Sequence, residues 1–434
     1  MGSSKVITII VFLVAFSAFV AVWRPRRIQL PQHLLGHTIV PLPGLLSPEV
    51  AEQLMTLSKE MRVFPTNLAD LKFYATKHEH IGEAQPIGAD GSCAHPYLVP
   101  SNDKRSCILP GRVDVGRHFL IGGGVEGLKE PFDHAASRLL SFGRYIFNVS
   151  EHAIVERLFA AEHFQRAARS VCPTHQQHLD PFQFNLIVQV PGQTVAEHLD
   201  APYFWGATRF QLPQWLLVTM VFSGLFTDRF VHQVQVVGYY HRWSDVARRS
   251  GDFVYWDRND AVPSRMPAEP LAGNVVDGSK TVHAASIYFP DRKAPALDKS
   301  ADSELRYDSA RDRWELVSNG ATIATYATDD LRMTIVYRAR CFANQSEAER
   351  FRNLPDEQYL TLDYILDTLH ADLVRRGRLD HSMPRPDALS FALLLLEEYV
   401  KYPFAAAQAS VIPYNYCALS KIAPWTEYIL RYLC

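Results

Sequence analysis

The spacing of apolar residues along the chain changes near residue 182. Before it, apolar positions recur every three or four residues in two stretches, which predict a helix from Ser47 to about Arg62 and two more within 130–172. The intervening 64–128 contain many turn residues. After it, short apolar runs of β type follow one another without long helices between them. These runs span 184–190, 215–224, 231–240, 252–256, 281–289 and 332–342. Many short strands of this kind are typical of an antiparallel barrel or sandwich.

A polar stretch at 291–330 interrupts the β-rich region. It contains two strand-like segments, 314–317 and 322–326, joined by the turn signal Ser318-Asn319-Gly320. We therefore expect a hairpin inserted into the core. After 346 the spacing is helical again, and helices are predicted over 356–376 and from Asp387 onward. The predicted organisation is a helical N-terminal part, a β-rich core and a C-terminal helical extension, over 44–181, 182–345 and 346–434.

The first residues of the chain predict a membrane segment. Residues 6–23 carry no charged side chain, and as a helix they would reach about 27 Å, close to the thickness of the hydrocarbon layer. A cleaved signal peptide is the alternative, but its best small-residue site, Ala15-Phe16-Ser17, comes early in the apolar run. We expect an uncleaved signal anchor over 1–27, followed by a stalk over 28–43.

Charge and composition exclude some classes of protein. The chain has 44 Lys and Arg against 46 Asp and Glu, a formal net charge of −2. That balance argues against binding to nucleic acid through bulk charge. With 47% hydrophobic and 21% charged residues the chain is globular rather than disordered. The oligomeric state is not indicated by any pattern in the sequence.

Two kinds of signal disagree about the side of the membrane on which the chain lies. The arginines that follow the apolar segment favour a cytoplasmic side. The glycosylation sequons at Asn148 and Asn344 favour a lumen. So do the 6 cysteines, an even number that includes the close pairs Cys93/Cys107 and Cys417/Cys434.

We expect a single-pass glycoprotein of the endoplasmic reticulum or Golgi, with its catalytic part in the lumen. Six reduced thiols in an organellar or cytoplasmic-facing membrane enzyme are the alternative. If the lumenal arrangement holds, Cys93 and Cys107 should be bridged.

The candidate chemistry begins at His198-Leu199-Asp200, after the predicted strand 184–190 and the turn signal Pro191-Gly192. Residues i and i+2 of an extended segment point to the same side, so His198 and Asp200 can bind one metal ion together. His283, at the start of another β-type run, is the best candidate for a third ligand. Two histidines and one carboxylate leave other positions open, which suits Fe(II) that must bind a cosubstrate and oxygen.

The sequence resembles the 2-oxoglutarate- and Fe(II)-dependent dioxygenases, especially their prolyl-hydroxylase-like branch. The likeness covers about 44–342 and is strongest from 182 onward. Five segments carry it, namely Gly44-Leu45-Leu46-Ser47-Pro48-Glu49, Val190-Pro191-Gly192 leading into His198-Leu199-Asp200, Gly251-Asp252-Phe253-Val254-Tyr255-Trp256, Asp277-Gly278-Ser279-Lys280-Thr281-Val282-His283, and Leu331-Arg332-Met333-Thr334-Ile335-Val336-Tyr337.

The resemblance implies an α+β fold with a double-stranded β-helix (jelly-roll) core and flanking helices. It also implies that 2-oxoglutarate is the cosubstrate and that a basic residue binds its distal carboxylate; ascorbate is a further cofactor to consider. Two arginines compete for that role. Arg292 follows His283 at the spacing usual in the family, whereas Arg332 opens an alternating strand with Thr334 on the same face. We expect Arg332, with Thr334, to bind the cosubstrate.

The function expected from these observations is a membrane-anchored dioxygenase that hydroxylates a prolyl or lysyl side chain of a protein, or another C–H substrate. One alternative is a non-catalytic protein of the same fold that serves as a membrane-tethered interaction or assembly subunit. Another is a metal-dependent hydrolase with the same three ligands, which would need a general base near the metal.

Overall fold

The structure is a computed structural model of the 434-residue chain. It describes residues 29–66, 85–89, 137–243, 245–259, 263–297 and 302–403, with short pieces between 93 and 116 and at 425 and 428. The predicted membrane anchor over 1–27 lies outside the described residues. Within the described part of the chain, no helix is long and apolar enough to cross a bilayer.

Helices flank the β-rich core on both sides in sequence. The α-helices of the described residues are α1 (Pro48–Met61), α2 (Ala153–Ala160), α3 (Glu162–Arg169), α4 (Gln214–Ser223), α5 (Val246–Arg249), α6 (Gln345–Arg352), α7 (Leu362–Arg375) and α8 (Ala388–Tyr399). The predicted start of α1 is confirmed, because Ser47 Oγ accepts a hydrogen bond from the Val50 amide at 3.3 Å.

The strands are mostly short. In chain order they are β1 (Val40–Leu42), β2 (Val63–Pro65), β3 (Gln85–Pro86), β4 (Val99–Pro100), β5 (Ser106–Ile108), β6 (Phe142–Ile146), β7 (His178–Gln189), β8 (Val195–His198), β9 (Tyr203–Phe204), β10 (Phe230–Val231), β11 (Gln233–Tyr239), β12 (Phe253–Tyr255), β13 (Ser264–Met266), β14 (Gly273–Val276), β15 (His283–Ala285), β16 (Ser303–Asp308), β17 (Arg313–Ser318), β18 (Ala321–Tyr326) and β19 (Arg332–Phe342).

Two antiparallel sheets form the centre of the fold. The main sheet has the order β1-β14-β11-β19-β7-β6, and the small sheet has the order β13-β12-β15-β8. From β7 to β19 the chain passes back and forth between these two sheets, with β7, β11, β14 and β19 in the first and β8, β12, β13 and β15 in the second. The predicted mixed fold with antiparallel sheets is therefore confirmed.

Each sheet turns an apolar face outward and covers it with helices. The outward side chains of β7 and β19 belong to one core with α1, α2 and α3, and the outward side chains of the small sheet pack with α4, α7 and α8 in a second core. The inward faces of the two sheets border a cavity that polar side chains line. The architecture thus places a polar cavity between two apolar cores.

The prediction of a strand at 215–224 is wrong, because Gln214–Ser223 forms helix α4. Almost every side chain of this helix is buried, so it has no polar face to give a helical periodicity. A short apolar run of this kind fits a buried helix as well as a buried strand. Gly224, with φ of 69°, ends the helix in the left-handed region that glycine adopts without strain.

The polar stretch after 291 forms more strands than the predicted hairpin contains. The two predicted segments fall in β17 and β18, and β16 precedes them. Together with β2 they make a separate sheet of order β18-β17-β16-β2. Two helices within 130–172 are present as predicted, but strand β6 precedes them and pairs with β7 at the edge of the main sheet.

The two C-terminal helices are present, and capping side chains set where they begin. Thr361 Oγ1 accepts a hydrogen bond from the Tyr364 amide at 3.2 Å, so α7 begins at Leu362 and not at 356. Asp387 accepts from the Ser390 amide at 3.0 Å and caps α8.

Two disulfides join described residues. The predicted bridge between Cys93 and Cys107 is present, and a second bridge joins Cys172, after α3, to Cys341 near the end of β19. None of the cysteines in the described part of the chain is free. Cys417 and Cys434 lie outside the described residues.

Candidate metal centre

The three predicted ligands meet at one edge of the small sheet. His198 is the last residue of β8, and His283 is the first residue of the neighbouring strand β15, where the two pair directly across the ladder. Asp200 follows β8 by two residues. One ligand atom from each of the three side chains lies within 4.8 Å of the others. Antiparallel pairing of two short strands thus brings residues 198 and 283, which are far apart in sequence, next to each other.

Backbone carbonyl groups fix the orientation of both imidazole rings. Nδ1 of His198 lies 2.7 Å from the Ala196 carbonyl oxygen, and Nδ1 of His283 lies 2.9 Å from the Thr281 carbonyl oxygen. In each ring Nδ1 donates its proton to the carbonyl, so Nε2 carries the lone pair that a metal ion needs. In His283 the Gln235 amide nitrogen lies 3.4 Å from that lone pair. Burial lowers the pKa of His198 to about 3 and also lowers that of His283. Both rings are therefore neutral near pH 7, the form that binds metals.

Asp200 is held as an ionised carboxylate. Its amide donates to the Gly278 carbonyl oxygen at 2.9 Å, and its Oδ2 lies 3.2 Å from Nη2 of Arg338. Burial alone would raise the pKa of Asp200, but Arg338 and the two histidines lower it overall. Asp200 Oδ2 is buried and has no hydrogen-bond partner among the described residues. Oδ1 lies 3.8 Å from His198 Nε2 and is therefore the oxygen placed to bind the same metal ion as that imidazole.

Glycine is required at position 278 because the Asp200 carboxylate lies against it. A Cβ atom built on Gly278 would lie 2.3 Å from Asp200 Oδ2, far inside van der Waals contact. The loop between β14 and β15 therefore approaches the metal site with bare backbone. This close contact is the physical reason for a glycine at position 278 of the Asp277-to-His283 segment.

Arg332 and Arg292 have different surroundings. Arg332 opens β19, is 5% exposed and lines the same cavity as the two histidines and Asp200. Arg292 has half of its side chain exposed; it packs over Phe289 and lies 3.6 Å from the Asp330 carboxylate. Arg292 does not line the cavity in the described part of the chain.

Neutral groups hold the Arg332 guanidinium in place. Nε donates to the Gly251 carbonyl oxygen at 3.0 Å, and Nη1 donates to Gln189 Oε1 at 2.7 Å and to Thr334 Oγ1 at 3.1 Å. No carboxylate of the described residues pairs with Arg332. The cavity therefore contains a buried, oriented cation whose charge is not balanced locally, and Thr334 contacts it as the sequence predicts for a residue on the same strand face.

Three features of the cavity are not predicted by the sequence analysis. Arg338 contacts Asp200 from β19. Arg112 forms a two-pronged ion pair with Asp114 on the cavity wall, at 3.0 and 2.8 Å. Gln235 Nε2 lies 3.4 Å from His283 Nε2. Only Arg338 has a sequence signal, since it is six positions after Arg332 on the same face of an alternating strand.

Comparison with known proteins gives matches among solved structures only. No family model and no curated protein matches the sequence. A prolyl 4-hydroxylase from Pseudomonas putida is 10% identical, with 70% of this chain and 92% of that chain covered and a TM-score of 0.31. A 2OG-Fe(II) oxygenase family protein from Burkholderia pseudomallei is 11% identical, with 46% and 66% covered and a TM-score of 0.26. HygX from Streptomyces hygroscopicus, solved with nickel and 2-oxoglutarate, is 7% identical, with 70% and 83% covered and a TM-score of 0.31.

The solved structures similar to this chain are thus 2-oxoglutarate/Fe(II) oxygenases, including prolyl hydroxylases, which is the group that the sequence resembles. At these identities and TM-scores the similarity adds nothing about individual residues. What the site can do follows from its own side chains.

The contact at Gly278 gives a test of the metal site. Gly278→Ala should displace the Asp200 carboxylate and lower the affinity for Fe(II) by roughly 10- to 100-fold, as loss of a group that orients a ligand does. Gly143→Ala is the matched control, because a Cβ there would lie no closer than 3.6 Å to its neighbours. Anaerobic calorimetry with Fe(II) measures both. Equal affinity in the Gly278 variant and the wild type would contradict the site geometry.

Proposed function

We propose that this protein is a 2-oxoglutarate- and Fe(II)-dependent dioxygenase that hydroxylates a C–H bond of its substrate. The observation that carries the proposal is the joint presence, in one cavity, of the His198, Asp200 and His283 cluster and of the buried guanidinium of Arg332. A metal ion fits the first and the distal carboxylate of 2-oxoglutarate fits the second. The alternation of strands between the main and small sheets supports a double-stranded β-helix as the fold.

The donor set suits Fe(II). Two neutral imidazoles and one carboxylate are the ligands of the facial triad, which leaves other positions on the metal open. The proposal assigns His198, Asp200 and His283 to Fe(II). A hydrolase would need a further general base beside the metal. The remaining carboxylate of the described cavity wall belongs to Asp114, and the Arg112 guanidinium pairs with both of its oxygens and helps to lower its pKa.

The Arg332 side chain suits one end of 2-oxoglutarate. A guanidinium offers two parallel N–H groups to a carboxylate, and hydrogen bonds to Gln189, Thr334 and the Gly251 backbone prevent it from turning away. An unpaired charge in a buried site costs several kcal/mol, so an anionic ligand at Arg332 would be strongly stabilised. Arg292 has no comparable role in the proposal.

When bound, Fe(II) and 2-oxoglutarate supply the activation of O2 that hydroxylation requires, with succinate and CO2 as co-products. The residues of the chain bind and orient these groups. Carbonyl groups of the backbone fix both histidines, Arg338 keeps Asp200 ionised, and Arg332 sets the direction of the cosubstrate. Apolar cores lie on the outer sides of the two sheets that border the cavity.

The proposal extends to substrate and location. We would first test a prolyl or lysyl side chain of a protein in the secretory pathway, and we place the catalytic part in the lumen of the endoplasmic reticulum or Golgi behind one N-terminal anchor. The two disulfides support an oxidising compartment. The exposure of the sequon residues Asn148 and Asn344 supports access by the glycosylation machinery.

Replacement of either of two metal ligands should abolish iron binding without unfolding the protein. His198→Ala and Asp200→Ala each remove one donor of the triad, and neither side chain is part of an apolar core. Anaerobic titration with Fe(II) and 2-oxoglutarate, followed by the weak visible charge-transfer band, measures binding, and circular dichroism checks the fold. A folded variant with wild-type affinity would show that the metal assignment is wrong. A wild-type protein that binds both ligands but forms no succinate with any substrate would favour the non-catalytic alternative.

Arg332 and Arg292 should respond differently to substitution. Arg332→Ala should raise the dissociation constant of 2-oxoglutarate by roughly tenfold or more, because a charged hydrogen-bonded pair is lost, while Fe(II) affinity changes little. Arg332→Lys keeps the charge without the planar fork and should be intermediate. Arg292→Ala is the control and should match the wild type. Weaker 2-oxoglutarate binding in the Arg292 variant alone would reverse the assignment.

The proposed compartment makes a prediction for protein isolated from its native cells. Peptide mapping without reductant should recover the Cys93–Cys107 and Cys172–Cys341 bridges, the protein should resist extraction by alkaline carbonate, and a glycosidase should increase its gel mobility. Free thiols at all four positions in thiol-blocked, freshly isolated protein, together with no glycan, would place the catalytic part on the reducing side of the membrane.

A further inference from the structure

Arg338 lines the same cavity as Arg332 and is six positions further along β19. It is 7% exposed, and its guanidinium makes no hydrogen bond to any residue that the structure describes. Its ionic contact is with Asp200, where Nη2 lies 3.2 Å from Oδ2 without hydrogen-bond geometry. Phe182 lies beneath it, with the ring centroid 5.7 Å from Cζ. A guanidinium carries five N–H donors, and the buried Nη2 of this one has no hydrogen-bond partner among the described residues.

The other two arginines of β19 have hydrogen-bond or ionic partners among the described residues. Arg332 donates three hydrogen bonds to neutral groups. Arg340 pairs with the buried Asp180, with 2.6 Å between Nη2 and Oδ2. Arg338 is therefore the arginine of this strand that makes no hydrogen bond to a described residue, and its donors remain available to a ligand other than the 2-oxoglutarate proposed for Arg332.

Asp200 cannot balance the charge of Arg338 once it also binds a metal ion. A divalent ion and a guanidinium would then share a single carboxylate in a buried site, where uncompensated charge is strongly unfavourable. The Arg112–Asp114 pair is neutral as a unit. In the proposed holoprotein one carboxylate of 2-oxoglutarate binds the metal and the other binds Arg332, so neither balances the charge of Arg338. The positive charge of Arg338 is left over.

The groups beside Arg338 are also polar and partly unsatisfied. Gln183 on β7 and Gln235 on β11 pair with Arg338 across the sheet, and both side chains line the cavity. Gln183 Nε2 donates to Asn185, which orients the amide, while Gln183 Oε1 is buried without a hydrogen bond. Buried polar groups are normally hydrogen-bonded. The unpaired Gln183 Oε1 and Arg338 Nη2 therefore indicate that a polar ligand binds beside them.

We propose that the substrate carries a carboxylate group and that Arg338 binds it next to the metal. This inference rests on the proposed function, since it assumes that Arg332 is occupied by 2-oxoglutarate. Along an antiparallel strand, six residues correspond to about 20 Å, so the two arginines serve separate carboxylates. A lysyl ammonium group would be repelled here. The carboxylate belongs either to a small free acid or to an acidic side chain of a peptide.

The test compares matched carboxylate and amide probes on protein loaded with Fe(II) and saturating 2-oxoglutarate under anaerobic conditions. Butanoate and butanamide represent a free acid. The blocked tripeptides acetyl-Gly-Glu-Gly-amide and acetyl-Gly-Gln-Gly-amide represent a peptide. Calorimetry should show that one carboxylate probe binds about tenfold or more tightly than its amide. The pair that shows the preference identifies the source of the carboxylate.

Substitutions assign the preference to Arg338. Arg338→Gln should remove it and Arg338→Lys should retain part of it. Gln183→Glu should also remove the preference for carboxylates, because the new side-chain carboxylate would bind the Arg338 guanidinium from within the protein. This substitution leaves the Arg338–Asp200 contact in place. Arg292→Gln, outside the cavity, should bind all probes as the wild type does.

Three results would overturn the proposal. They are equal binding of carboxylates and amides, a preference that survives both Arg338→Gln and Gln183→Glu in variants that still bind Fe(II), and no selective binding of any probe up to millimolar concentrations. Failure of the proposed function is a separate result, in which the wild-type protein does not bind Fe(II) and 2-oxoglutarate. In that case the same probes are titrated into the metal-free protein, and Arg338→Gln still shows whether this guanidinium receives a carboxylate.

Discussion

The alternation of side chains along β19 is the constraint on which the cavity depends. Met333, Ile335 and Tyr337 point outward into the apolar core beneath helices α1 to α3, and Arg332 and Arg338 therefore point inward. A slip of one residue in the pairing with β7 would bury both arginines among apolar side chains and expose the core residues to the cavity. The hydrophobic core thus fixes the register that places two cations in the cavity of the candidate metal ligands.

A second consequence of strand pairing is that backbone carbonyl groups hold the imidazole rings of two candidate metal ligands, His198 and His283. His198 and His283 face each other across β8 and β15, and each ring donates to the carbonyl oxygen of the residue two positions earlier in the chain. The same local geometry therefore occurs twice in neighbouring strands. Ligands that are oriented before the metal arrives lose little conformational freedom on binding it. The bare backbone of Gly278 gives the third ligand, Asp200, its position in the same way.

Sequence patterns predicted those features that depend on local periodicity. The i, i+2 spacing of His198 and Asp200 and the alternation that begins at Arg332 are properties of single strands, and the structure brings these side chains into one cavity. Helix α4 was predicted as a strand because a helix buried on all sides loses its amphipathic signal. Strand β6 was missed because an edge strand that contains glycine, Phe142–Ile146, has no clear alternation.

Features that depend on tertiary contact could not be predicted from the sequence. The Cys172–Cys341 bridge joins residues 169 positions apart, and they meet where the start of β7 pairs with the end of β19. The importance of Arg338 is of the same kind. Its position on the strand is evident from alternation, but its missing hydrogen bonds and its contact with Asp200 exist only in the folded chain.

Asp200 links the two halves of the cavity physically. Its carboxylate is a proposed metal ligand and is also the ionic partner of Arg338. A change in the charge at the metal therefore changes how strongly the carboxylate attracts Arg338, and a change in the charge at Arg338 changes how strongly it attracts the metal. An anion bound to Arg338 would withdraw that cation from Asp200 and leave more negative charge for the metal. Coupling between two binding events is reciprocal, so a bound metal must strengthen the attraction of Arg338 for an anion by the same factor. In this arrangement a carboxylate substrate and the metal ion would each favour the binding of the other, and the side chain that transmits the effect is one that the metal site already requires.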